Sequence, residues 1–258
     1  MEVESIKPLL AVSIPLIGSV FILMARRKPN IREACTLITA FLMFFAVLSM
    51  VPDVLAGKTL VYTLFNFWPS VPLGFRVDGL GMIFGLVAAF TWVLTTFYSI
   101  GYMRGLNEHA QTRFYFCFAL TLFATEGAAF SNNWFTLFIF YELISVFTYP
   151  LVSHHETQEA WEKGNKYLAY LLGTSKVFLI PAVLGTYFFA GSIDFAANGI
   201  MPHNADKTLL IGIYIFYLAG IGKVAFMPLH SWLPASMVAP TPVSALLHAV
   251  AVVNTGAF

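Results

Sequence analysis

Polar and apolar positions separate into long blocks along this chain. A helix crossing a bilayer needs about 17–25 mostly apolar residues. Eight blocks meet that length and are predicted as spans: 6–25, 34–55, 79–102, 114–130, 134–152, 167–190, 208–228 and 242–258. The first is too long for the apolar part of a cleavable signal peptide, and no small-residue cleavage site ends it. The stretch 57–77 (GKTLVYTLFNFWPSVPLGFRV) differs. Pro69, Pro72 and Gly74 stand among aromatics with some alternation, which predicts a hairpin or amphipathic loop at the interface, anchored by Trp68.

The seventh block is broken. The run KVAFMPLHSWLPASMVAPTP places Pro228, Pro234, Pro240 and Pro242 within fifteen residues. Proline removes a backbone donor and clashes with the preceding turn. Unwound backbone at membrane depth is tolerated where it is buried in protein or lines a wet cavity, and broken helices commonly mark transport pathways. The expectation is a helix ending near Pro228, a short second piece, and an eighth span starting near Thr241.

Composition narrows the class. Hydrophobic residues make up 59% of the 258 and charged residues 10%, against about 25% charged in a soluble domain. So few charges cannot cover a soluble surface, which excludes a soluble enzyme and a disordered chain. The net charge of +1 leaves no basic patch for nucleic acid. Cys35 and Cys117 are too few for a disulfide scaffold or a zinc cluster. The predicted fold is an all-α polytopic membrane protein of about eight transmembrane helices. Residues 1–111 form a three-helix region with the interfacial loop 57–77, and 112–258 form a five-helix bundle. Arg26, Arg27, Lys28, Arg32, Arg104, Arg113, Lys163 and Lys166 fall in the odd-numbered loops, while Lys7, Lys58, Arg76 and Lys207 fall at the other side. The positive-inside rule places the N-terminus outside.

Two of the fourteen basic residues, Lys176 and Lys223, remain inside spans, with Glu126, Glu142 and His248. A charge at mid-membrane costs about 2.5–3.5 kcal/mol on insertion scales, so such groups pair or line a water path. Desolvation lowers a lysine pKa and raises a glutamate pKa, so a Glu–Lys pair in a semi-dry interior can exchange protons near neutrality. Glu142, in FIFYELISVFTYP, and Lys223, in AGIGKVAFMP, are the leading candidates for a proton relay. Gly220 and Gly222 thin the chain beside Lys223 and let water or a neighbouring helix approach. His248 suits proton transfer or a satisfied hydrogen bond. Lys176 reads equally as relay partner or snorkelling cation, and Glu126 as a solvated or interfacial carboxylate. Asp78 is expected to cap the third span. His230 lies at the break as a wet relay or a cap. His154 and His155 read as solvated loop, since no further ligand is spaced for a metal. Neither a GxGxxG, nor a phosphate loop, nor a nucleophile arrangement occurs, so no cofactor is expected.

These residues carry a family likeness. GKVAFMPLHSWLPASMVAPTPVSALLHAVAVVNTGAF and FIFYELISVFTYPLV resemble the signatures of proton-conducting antiporter-like subunits. That family includes the large membrane-arm subunits of respiratory complex I, Mrp-type sodium/proton antiporter subunits and a subunit of membrane-bound hydrogenases. The resemblance covers essentially the whole chain. It implies a fold of fourteen helices with two inverted five-helix repeats, spans four to eight forming the first. Glu142 then matches the glutamate of span five and Lys223 the lysine of span seven, a pair that gates a proton path. His248 matches the eighth-span histidine, and His230 the histidine of the proline–histidine turn that begins at Pro228. Asn254 departs from the pattern, because many members carry a lysine there, and asparagine holds no proton charge. The chain stops inside an apolar run, so it is expected either as a half-module completed by a partner chain or as the front of a longer subunit. The expected function is an antiporter-like subunit in the cell (inner) membrane, translocating protons or sodium beside other membrane subunits. Its rivals are a non-conducting docking subunit and an independent secondary transporter.

Overall fold

The computed structural model describes residues 2–68, 71–196, 199–202 and 206–258. Helices fall over every predicted block. They are α1 (Lys7–Met24), α2 (Pro29–Leu48) with the short α3 (Val51–Leu55), α4 (Gly79–Gly105), α5 (Gln111–Ala129), α6 (Trp134–Val152), α7 (Gln158–Thr174) and α8 (Ile180–Ala190), α9 (Lys207–Gly220), α10 (Trp232–Ser236), α11 (Thr241–Ala245) and α12 (Val252–Ala257). Among the described residues, five helices are long and apolar enough to cross a membrane: Lys7–Met24, Pro29–Leu55, Gly79–Gly105, Trp134–Val152 and Gln158–Ala190. The last is continuous because a π-helical turn, Ser175–Leu179, joins α7 to α8. Lys207–Gly220 and Thr241–Ala257 are shorter apolar helices.

The chain is not wholly helical. Strands β1 (Glu2–Glu4), β2 (Thr59–Trp68) and β3 (Val71–Val77) form one sheet. The predicted hairpin is β2–β3, antiparallel, with Leu60 opposite Val77; β1 adds in parallel and had no signal in its three residues. The Trp68 side chain, expected as the anchor, and Pro69 lie outside the described residues. β3 docks on the α5–α6 turn, where the Arg76 N–H donates to the Phe130 carbonyl at 2.6 Å and the Asn133 amide to the Pro72 carbonyl at 2.6 Å. Asp78 caps α4 as expected, accepting from the Gly81 N–H at 2.8 Å.

α5 is the axis of the bundle, packed against α1, α4 and α6, and fourteen of its nineteen residues are buried. Gly127 admits the Phe140 ring of α6, and Gly85 of α4 lies against Phe130 and Glu126. Large apolar side chains face outward on the outer helices, among them Ile17, Phe45, Ile83, Phe188 and Tyr214. Such a surface suits lipid or apolar neighbours, not water. Polar ties gather at the two ends. At one end Arg104 Nε donates to Glu33 at 2.9 Å and Arg32 to Gln111 at 2.6 Å. Arg113 donates there to the His154 carbonyl at 2.9 Å. At the other end, beside the sheet, Asp53 holds Lys7 at 2.7 Å and Lys58 at 3.1 Å.

Candidate functional site

The break in the seventh block lies earlier than the prolines suggest. α9 ends at Gly220, eight residues before Pro228, and Lys223 sits within the break, on a single 3₁₀ turn, Gly222–Val224. Ala225 follows in the left-handed region with φ of 58°. Glycine ends the helix here because it weakens helical backbone and because neighbours leave no room for a side chain. A Cβ on Gly220 would fall 2.7 Å from the Leu179 backbone nitrogen, and one on Gly222 2.5 Å from the Thr174 hydroxyl. The carbonyl of Gly222 accepts from the Ala225 N–H at 3.1 Å within the turn, and the Trp232 indole N–H donates to it as well at 2.9 Å. The two glycines do admit a neighbouring helix, as expected, and that helix is the α7–α8 rod.

Lys223 is 0% exposed. Its ammonium donates to the Tyr141 carbonyl and lies 3.6 Å from the centroid of the Tyr141 ring. The Lys223 N–H reaches the Tyr141 hydroxyl at 3.4 Å. A cation over an aromatic face gains about 0.5–2 kcal/mol, more when desolvated. Glu142 is the next residue on α6, half-buried, close enough to interact electrostatically with both Lys223 and Lys176. Among the described residues no ion pair within 4.0 Å joins Glu142 to Lys223. The lysine is held by the backbone and ring of the residue next door, so the two charges sit near each other without touching. Tyr141 was missed in the sequence because a tyrosine in an aromatic-rich span carries no distinguishing signal.

The other expected site residues are dispersed. Lys176 lies in the π-turn with an exposed side chain, so the chain itself does not enclose it as a relay. His248 lies in a second π-turn, Leu246–Val250, half-buried, with Nε2 3.2 Å from the Met237 sulfur. Such turns are rare and frequently sit at functional sites. His230 is exposed on the turn after Pro228. Asn254 donates to the Ala249 carbonyl at 2.7 Å, one of the groups displaced by that second π-turn. Glu126 corrects its expectation. It is 0% exposed, and neither carboxylate oxygen has a hydrogen-bond partner among the described residues. Its position near a span end misleads because the α5–α6 turn above it is covered by β3. A cavity of about 410 Å³ extends from Arg76 and Asp78 at the sheet end to Tyr141 and Ile221 beside the lysine.

With that geometry in place, the likenesses to known proteins identify the family and the fold. The family described as NADH:quinone oxidoreductase/Mrp antiporter, TM, matches residues 131–258, and the one described as NADH-ubiquinone oxidoreductase (complex I), chain 5 N-terminus, matches 69–115. A provisionally named antiporter subunit mnhA2 of Staphylococcus haemolyticus (strain JCSC1435) is 32% identical over 217 residues, covering 82% of this chain and 27% of the relative. NADH-ubiquinone oxidoreductase chain 5 of Allomyces macrogynus is 31% identical over 185 residues, covering 71% and 28%. Among solved structures, an archaeal membrane-bound sulfane sulfur reductase superposes with a TM-score of 0.85 at 21% identity, over 98% of this chain and 52% of that one. The Mrp complex from Dietzia sp. DQ12-45-1b gives 0.80 at 21% identity, over 97% and 27%.

The chain therefore belongs to the antiporter-like membrane subunit family of Mrp antiporters and complex I, and is a multi-pass membrane protein. It spans about a quarter of the length of the curated relatives it matches.

Proposed function

We propose that this chain forms an ion-translocating half-channel of a multisubunit membrane complex, with Lys223 as the proton carrier and Glu142 as the partner whose charge biases it. The observation that supports this most is a fully buried lysine in unwound backbone, held by a carbonyl and an aromatic face instead of a carboxylate. An ammonium so held is stabilised enough to exist and weakly enough to give up its proton. A proton arriving on Glu142 removes the negative charge beside Lys223 and favours the neutral amine; loss of that proton favours the ammonium. The site thus alternates between a neutral pair and a pair of opposite charges, so no uncompensated charge is buried in either state. His248 stands as a further relay in the second π-turn, while Lys176 faces outward toward lipid or a neighbouring subunit. The driving energy, redox or ion exchange, would come from other subunits.

Proton movement into inverted membrane vesicles tests the reading, with assembly checked on the same membranes. Lys223→Ala and Glu142→Gln are each expected to cut translocation at least tenfold while the complex stays assembled. Undiminished translocation by an assembled Lys223→Ala complex would remove the lysine from the path and favour a docking subunit.

A further inference from the structure

His154 and His155 read as solvated loop, but the fold brings their loop against another. Residues 106–110, between α4 and α5, meet 153–157, between α6 and α7. Glu108 Oε2 lies 3.8 Å from His154 Nε2, 3.9 Å from His109 Nδ1 and 3.9 Å from His155 Nδ1. One donor atom each from Glu108, His109 and His154 lies within 4.8 Å of the others.

His154 is the informative member. It is 0% exposed, yet neither ring nitrogen has a hydrogen-bond partner among the described residues. An imidazole presents one N–H and one lone pair, and a buried polar group left unpaired costs about 1–3 kcal/mol. A metal ion satisfies such a lone pair directly. The Arg113 guanidinium lies close by, donating to the His154 backbone carbonyl and leaving the ring nitrogens free. Arg113 is itself paired with Glu156. Glu108 has no Lys or Arg partner among the described residues, so its charge is available to a cation. Asn107, Ala110 and Glu156 hold positive φ of 51°, 49° and 54° around the ligand loops, and strained backbone of this kind clusters at ligand clamps.

We propose that Glu108, His109 and His154 bind a zinc(II) ion that clamps the α4–α5 loop to the α6–α7 loop, with His155 or water in the fourth position. Imidazole with carboxylate and no thiolate suits zinc, whereas calcium and magnesium want oxygen alone. In a tetrahedral site with bonds of about 2.0–2.1 Å, ligand atoms stand about 3.3 Å apart. The 3.8 and 3.9 Å separations from Glu108 close to that by about half an ångström, and separations of up to 4.8 Å by at most about 1.5 Å, within reach of side-chain rotation.

The test uses the full chain extracted in mild detergent with its co-purifying partners, stripped with a chelator, and dialysed against zinc or cobalt. The wild type is expected to retain zinc stoichiometrically by mass spectrometry and to give the intense visible absorption of tetrahedral cobalt(II). His154→Ala should abolish both signals. Glu108→Gln and His109→Asn lie on the partly exposed side of the site and keep the test open if the first variant misfolds; each should weaken zinc binding at least tenfold. Glu142→Gln should bind zinc like the wild type, which separates this site from the proton path. A wild type retaining no zinc above the buffer control overturns the proposal, as does equal retention by Glu108→Gln and His109→Asn.

Discussion

A lysine ammonium fully enclosed by protein is held here by one tyrosine, which makes Tyr141 as informative as the lysine. Its hydroxyl contributes a long contact to the backbone, while its ring and carbonyl hold the charge. Tyr141→Phe keeps ring and carbonyl and is expected to retain translocation within about twofold, since the lost contact is worth at most ~1 kcal/mol. Tyr141→Leu removes the aromatic face, worth about 0.5–2 kcal/mol. The vesicle assay should show a severalfold fall for leucine and little for phenylalanine. At this scale the sequence was readable where a charge stood alone among apolar neighbours, as with Glu142 and Lys223. It was unreadable where the meaning came from across the fold. The histidines at 109 and 154 are forty-five positions apart in the sequence, and only the meeting of two loops makes them neighbours. Glu126 was misjudged for the same reason, since its cover comes from β3.

Elements begin and end where the sequence predicted wherever a block has a clear polar edge, and depart where close packing decides. The prolines pointed to Pro228, but α9 unwinds at Gly220, where Leu179 of the first π-turn packs against its backbone. The π-turns at Ser175–Leu179 and Leu246–Val250 leave no mark in hydropathy, since one extra residue in a turn changes no side chain's character. Packing in the break can be probed directly. A Cβ on Gly256 would lie 2.8 Å from the Val224 nitrogen and 2.9 Å from the Lys223 Cβ, whereas one on Gly212 meets nothing within 4 Å. Gly256→Ala is therefore expected to destabilise the protein by about 1–3 kcal/mol, as overpacked cores do. Gly212→Ala should be neutral or slightly stabilising through its helix preference. Thermal unfolding in detergent, read side by side, distinguishes them. Trp232→Phe removes one of the two hydrogen bonds to the Gly222 carbonyl, the Ala225 N–H keeping the other, and a cost of about 0.5–1.5 kcal/mol is expected in the same measurement.

Across the whole molecule, the charges divide between two ends. Arg32, Arg104 and Arg113 are tied together at one end, and Lys7, Lys58 and Arg76 lie at the sheet end. That division follows from the alternation of the predicted loops, which is why charge counting anticipated the grouping, although the sheet itself was legible only as its hairpin. With the basic end in the cytoplasm, Lys28→Cys and Lys166→Cys should react with an impermeant thiol reagent only in inverted vesicles, and Lys58→Cys only in right-side-out cells. The opposite pattern would invert the orientation. The glycine contacts at 220, 222 and 256 have a bearing on speed. They fix the backbone of the break against α7, the π-turn after it and α12, so the moving part left to it is a four-carbon stem and its head group. Reorienting one side chain displaces far less of the protein than sliding a helix, which takes microseconds or longer. On the proposed function, a relay built this way would turn over without reshaping its outline, so its lipid and its neighbours would not be disturbed at each step.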